Sequence, residues 1–180
     1  MTRLTIPTRD EAPAASRPLL DAVHAQLGVI PNLFRLIALS PAALEGYTGL
    51  GKALARTLDV KTRERIALAV AEVNGCDYCL SAHSYLGANQ ARLDADEIAA
   101  NRAGRSNDAR ADAAVRFAHT IARTRGKVGD ADLAAVRAAG FSDAEVIEIS
   151  VHVALNFLTN LVNNVADTAI DFPVVTATAA

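Results

Sequence analysis

Apolar residues recur along this chain at three- and four-residue intervals, interrupted by short polar breaks that carry proline, glycine or a capping side chain, so the pattern predicts helices from end to end. Residues 1–15, with Pro7 and Pro13 and no period, form an irregular lead-in. Ser16 is expected to cap an amphipathic helix to Leu27, which Gly28 ends. Pro31-Asn32 opens a short apolar helix to Leu39, and Ser40-Pro41 puts a cap and an N1 proline before a helix running towards Arg56. After a connection at 59–61, Thr62 is expected to start a helix that offers Ile66, Leu68, Ala69 and Val73 for burial, and Asn74-Gly75 turns it into a second helix opened by Cys76. Further helices are predicted over Asp94–Ala103 and Asp108–Arg125, and from Asp130 or Asp132. Ser142-Asp143-Ala144-Glu145 is a capping box, a serine with glutamate three residues on, heading a long apolar helix that can reach Ile170 before Pro173. The expected organisation is one all-α domain over 16–172 and a loose tail over 173–180.

Composition narrows this picture. The 180 residues suffice for one domain with a substantial core, and a chain 51% hydrophobic but only 4% aromatic packs as closely spaced, alanine-rich helices more readily than as a β-sandwich. Acids and bases are interspersed and sum to −2, so the sequence carries no electrostatic footprint for nucleic acid or anionic lipid, and neither partner is expected. Met1–Glu11 has no apolar leader, and no uninterrupted apolar run approaches the roughly 18 residues of a bilayer span, which points to a cytoplasmic protein. In that reducing compartment, a cysteine pair is catalytic, redox-sensing or metal-bound more often than it is a structural staple.

The two cysteines of the chain, Cys76 and Cys79, stand with His83 within eight positions. At 100° per residue, Cys79 falls at about 300° and His83 at about 340° from Cys76, so the three share one helical face. Two thiols that can join, beside an imidazole that can take a thiol proton, are the parts of a disulfide-exchange site. Cys76, in the first turn, gains most from the helix dipole and on that ground would be the more acidic thiol. The competing readings are two small buried hydrophobes, or three of the four ligands of a zinc site that has no evident fourth. Glu64 can orient the imidazole or merely favour its own helix N-terminus; Glu72 is a spare carboxylate on a nearby face, more plainly a solvent or subunit contact. His24, His119 and His152 stand alone, although His152 lies on the long C-terminal helix and could approach the motif. On that same helix Asn156, Asn160 and Asn163 share a face, where buried amides need partners, and they read as a polar seam between helices or subunits.

Glu64, eleven residues, Cys76-Asp77-Tyr78-Cys79, three residues and His83 together form a pattern that resembles the alkylhydroperoxidase D-like, carboxymuconolactone decarboxylase superfamily. The upstream run Gly28-Val29-Ile30-Pro31-Asn32-Leu33-Phe34, followed by Ser40-Pro41, is similar to the leading segment of its peroxidase-related subgroup. The resemblance implies a compact helical subunit with the Cys-x-x-Cys motif at the start of a helix in a helical hairpin, assembled as a homotrimer or homohexamer, with no metal or organic cofactor. It implies reduction of small hydroperoxides by Cys79 as peroxidatic and Cys76 as resolving thiol, with Glu64 and His83 as proton relay and a lipoyl- or thioredoxin-like dithiol as reductant. Members named for decarboxylation generally lack the cysteine pair. The best-known peroxidases of the family carry histidine where this chain has Tyr78, a phenol better suited to hydrogen bonding or packing than to neutral-pH proton transfer. The alternative to an enzyme is a redox sensor or regulatory protein using the same disulfide.

Overall fold

The computed structural model describes residues 2–178, and all regular structure among them is helical. After a 3-10 turn at Ala14–Ser16 come α1 (Arg17–Leu27), α2 (Asn32–Ile37), α3 (Pro41–Leu54), α4 (Val60–Val73), α5 (Asp77–Asn89), α6 (Ala95–Arg102), α7 (Ala109–Thr124), α8 (Asp130–Ala138) and α9 (Asp143–Ala166). Local capping chemistry explains most of the starts. Ser40, Asp94, Asp108 and Ser142 each accept a backbone N–H from the third helical residue, and Glu145 answers Ser142 in the expected reciprocal box.

α4 is the wall on which the rest is hung. Ile66 through Ala71 are all buried, a run too long for one face, because α5, α6, α7 and α9 surround it on different sides. Alanines at 67, 69 and 71 let those neighbours come close. Leu68 and Ala71 join one core, with α1, α2, α3 and the cysteine helix α5, whereas Ile66 and Val70 join a second, with α7, α8 and the first half of α9.

Several expectations need correction. Ser16 does not cap α1 with its side chain: its buried hydroxyl donates to the Ala38 carbonyl at 2.7 Å, tying α1 to the end of α2. α4 starts earlier than Thr62, because Asp59 is the cap, accepting from both the N–H and the hydroxyl of Thr62. α9 stops at Ala166 rather than Ile170, since Asp167 turns left-handed (φ 51°) and, with Thr168, returns its N–H to the Asn163 carbonyl. Most of the tail is not loose. Val175 N–H donates to Ser81 Oγ at 2.9 Å, Ala177 N–H to Asp77 Oδ1 at 2.8 Å, and Arg102 Nη2 to the Thr176 carbonyl at 2.8 Å, so 174–178 lie as a strap over the start of α5. Ala179 and Ala180, part of the same expected tail, lie outside the described residues.

Because α4 is enclosed, Ile66→Ala should lower the unfolding free energy by about 2–5 kcal/mol with an unchanged urea m value. Lys61→Ala, on the exposed first turn of the same helix, should stay within about 0.5 kcal/mol of the parent in the same urea titration.

Candidate active site

α4 and α5 form a hairpin whose turn is built for sharp reversal. Gly75 sits at φ 59°, in the left-handed region where a side chain would be strained, and Cys76 becomes the N-cap of α5, its Sγ accepting the Cys79 N–H at 3.4 Å. Asn74 locks this turn to α9: its Nδ2 donates to Asn160 Oδ1 at 2.8 Å and its carbonyl accepts from Asn164 Nδ2 at 2.9 Å.

The hairpin folds the first turns of α4 back over α5, so that Glu64 meets His83, with Oε2 2.9 Å from Nδ1. A carboxylate only accepts, so Nδ1 carries the proton and Nε2 is the nitrogen left for chemistry. Burial alone would lower the His83 pKa, but the charge and hydrogen bond of Glu64, with the Cys79 thiolate, outweigh it and leave it raised. Glu64, Cys79 and His83 line one cavity of about 190 Å³ together with Tyr47, Tyr78 and His152. Cys76 is not in its lining and is wholly buried behind.

The two thiols are electrostatically unlike. Cys79 is lowered, first by the hydrogen bond from Cys76, then by His83 and by the amides of Asn163 and Asn160, against the opposing effect of burial. Asn163 Nδ2 donates directly to Cys79 Sγ at 3.2 Å. Cys76 is raised, by giving its hydrogen bond to Cys79 and by burial. Both sulfurs sit at the α5 N-terminus, and the side chains around each favour charge on Cys79 over Cys76, opposite to the helix-dipole expectation.

The remaining candidates divide. His152 lines the same cavity, from α9. Tyr78 packs its ring edge-on to Phe172 at 5.9 Å and accepts the Leu33 N–H at 3.1 Å; burial first, then Asp171 and the Cys79 charge, raise its phenol, so it is a packing and cavity-wall residue rather than a proton carrier. Glu72 does not reach the thiols. It accepts from Arg102 Nε at 2.7 Å and from Thr178, clamping the strap to α6. Among the described residues no trio of His, Cys, Asp or Glu side chains is grouped to hold a metal, and Cys76, Cys79 and His83 do not converge as zinc ligands would. The asparagine seam is an inter-helix one, one of the two readings its spacing allowed, but its role at the sulfur was not foreseen, and neither was Tyr47, half-buried in the cavity lining with Cys79 and Glu64. The amide periodicity on an apolar helix was the available signal for Asn163; nothing in the sequence marks Tyr47.

With this geometry in hand, comparison with known proteins is informative. Residues 41–124 match the carboxymuconolactone decarboxylase family, a segment that contains Glu64, both cysteines and His83. A peroxidase-related protein with the alkylhydroperoxidase AhpD core from Ralstonia eutropha JMP134 superposes with a TM-score of 0.83 at 26% identity, covering 94% of this chain and 92% of that one. The chain is similar to the alkylhydroperoxidase D-like, carboxymuconolactone decarboxylase superfamily, in sequence over 41–124 and in fold over nearly its whole length. A peroxidase-related protein from Silicibacter sp. TM1040 is similar at TM-score 0.79 and 25% identity over 93% of this chain and 91% of that chain. The debrominase Bmp8, crystallised with 2,3,4-tribromopyrrole, shares the fold (TM-score 0.79, 95% of this chain and 94% of that chain) at only 20% identity. A curated protein of Haemophilus influenzae is 52% identical over 46 residues, which is 24% of this chain and 41% of that protein. The matched segment ends before α9, which supplies Asn163 and His152.

The alkylation rate of Cys79 follows its thiolate fraction, so it should rise through a pKa below that of a free thiol (about 8.5) and level off above it. Asn163→Leu should move this midpoint upward by about one pH unit, measured by iodoacetamide labelling and peptide mass spectrometry across pH 4–10.

Proposed function

We propose that this protein is a thiol-dependent peroxidase of disulfide oxidoreductase type, and the observation that carries the reading is that Cys79, the more acidic thiol, lines the cavity beside the Glu64–His83 pair while Cys76 is enclosed behind it. In the proposed cycle the Cys79 thiolate attacks the O–O bond of a hydroperoxide, the bond breaks, and the alkoxide leaves with a proton from His83 as an alcohol. Cys79 becomes a sulfenic acid. The Cys76 sulfur then attacks it, forming the disulfide and releasing water, and an external dithiol, lipoyl- or thioredoxin-like, returns both thiols. Glu64 orients His83 and sustains its proton.

The same reading extends to setting and assembly. A dithiol cycle of this kind belongs in the reducing cytoplasm. Ile147, Leu158, Leu161 and Val165 form an exposed apolar stripe along α9, at the spacing of a helix–helix seam, which supports a homo-oligomer such as the trimer or hexamer implied by the resemblance. A second reading, a redox sensor, is favoured by one observation: the strap holds Asp77 and Ser81, on the helix whose first turn a disulfide would alter. Multiple turnover of hydroperoxide with dihydrolipoamide distinguishes the two, because a sensor oxidises once and stops.

With Cys76→Ser, one equivalent of peroxide should leave a sulfenic acid at Cys79 that dimedone traps, whereas Cys79→Ser should abolish turnover; no adduct in Cys76→Ser together with a trapped Cys76 in Cys79→Ser would reverse the roles. His83→Gln should lower kcat/KM for hydroperoxide by roughly 10²–10⁴-fold, and Glu64→Gln by less, in a coupled dithiol assay.

A further inference from the structure

The cavity holds polar groups that the thiol chemistry does not use. His152 lines it, is 5% exposed, and its Nε2 finds no hydrogen-bond partner among the described residues. Arg63 lines it as well. One guanidinium nitrogen, Nη1, is committed to the carbonyls of Ala55 and Leu58, but the carboxylate next to it in sequence, Glu64, is already taken by His83. The charges are sorted accordingly. Glu64 and Cys79 act on His83, while Arg63 is the charged group that acts on His152. Burial, with Arg63, lowers His152 to about 4, so its ring is neutral at pH 7.

A buried imidazole nitrogen without a partner carries a desolvation cost that a ligand can offset, and the half-exposed Arg63 in the same cavity lining forms no ion pair with a carboxylate among the described residues. An oxyanion suits the pair. Arg63 supplies a charge-assisted donor, and His152 supplies a second either as its Nε2–H tautomer or by taking up a proton beside the anion. Ala55, Ala67 and Leu155 add apolar surface to the lining, and Asn156 and Thr159 of α9 add polar surface. The volume of about 190 Å³ is roughly six water-sized groups, so whatever enters is small.

We propose that His152 and Arg63 anchor a carboxylate of the substrate, so that the hydroperoxides this protein reduces are short carboxylic acids with the O–O group at the far end, against Cys79. The proposal rests on the peroxidase reading for its chemistry but not for its test. Arg63 on α4 and His152 on α9 are 89 residues apart in sequence (152 − 63), so the pairing is visible only in the folded chain.

The reduced protein is labelled with iodoacetate, 3-iodopropionate and 4-iodobutyrate and with the matching neutral amides, and modification of Cys79 is followed by peptide mass spectrometry. At the chain length that bridges the cavity, the acid should label with saturation and about tenfold faster than its amide, the reverse of the order for free cysteine. Acetate through butyrate should protect Cys79 from iodoacetamide. His152→Leu and Arg63→Gln should each collapse the acid-to-amide ratio towards that of free cysteine, and His152→Gln should retain part of it; circular dichroism checks that each variant is folded, and protection by simple carboxylates carries the test if His152→Leu is not. Amides labelling as fast as acids at every length would overturn the anchor, as would an acid preference that His152→Gln and Arg63→Gln leave untouched, or a native Cys79 that no reagent reaches. Acid preference without turnover of hydroperoxide keeps the anchor and sinks the peroxidase reading. Turnover of cumene hydroperoxide without acid preference does the opposite.

Discussion

A thiolate can be kept inside an apolar helical core only if hydrogen-bond donors and positive charge are brought to it, and much of the architecture around α5 answers that requirement. Cys79 receives the Cys76 thiol from the turn before it, the His83 charge from one turn after it, and the Asn163 amide from α9. His83 in turn is held by Glu64 from α4. Three helices therefore have to meet at one sulfur, and the seam that joins them is polar: the half-buried Asn74 donates to the buried Asn160, and its carbonyl accepts from the exposed Asn164.

The scaffold is rigid where this meeting needs it to be. α4 separates the two cores and touches α5, α6, α7 and α9, so Glu64 is carried on the best-packed element of the molecule. The C-terminal strap finishes the other side of α5. It takes up the Asp77 carboxylate and the Ser81 hydroxyl, and its far end is clamped by Glu72 and Arg102, so polar side chains near the thiols that would otherwise compete for the sulfur are engaged elsewhere.

α9 has two faces with different tasks. The outer one carries the apolar stripe; the inner one buries His152, Asn156, Thr159, Asn160 and Asn163. By length and composition alone this helix could cross a membrane, but its buried polar face packs against α3, α4 and α5. The same inner face reaches both the sulfur, through Asn163, and the opposite part of the cavity, through His152.

What was legible in the sequence is what short-range physics governs. Helix periodicity, the caps at Ser40, Asp94, Asp108 and Ser142, the glycine reversal at Gly75 and the common face of Cys76, Cys79 and His83 all depend on residues within a turn or two of one another. Even there, competition between neighbours misled: Asp59 took the cap expected near Thr62, and Ser16 gave its hydroxyl to a distant carbonyl. Whether Cys76 or Cys79 holds the charge, that Tyr78 serves packing and Glu72 the strap, and that His152 stands with Arg63 in the cavity were decided by the tertiary structure. Each depends on which side chain packing delivers from far along the chain, and in a low-dielectric interior that neighbour, rather than the intrinsic chemistry of the residue, sets the protonation state and the role.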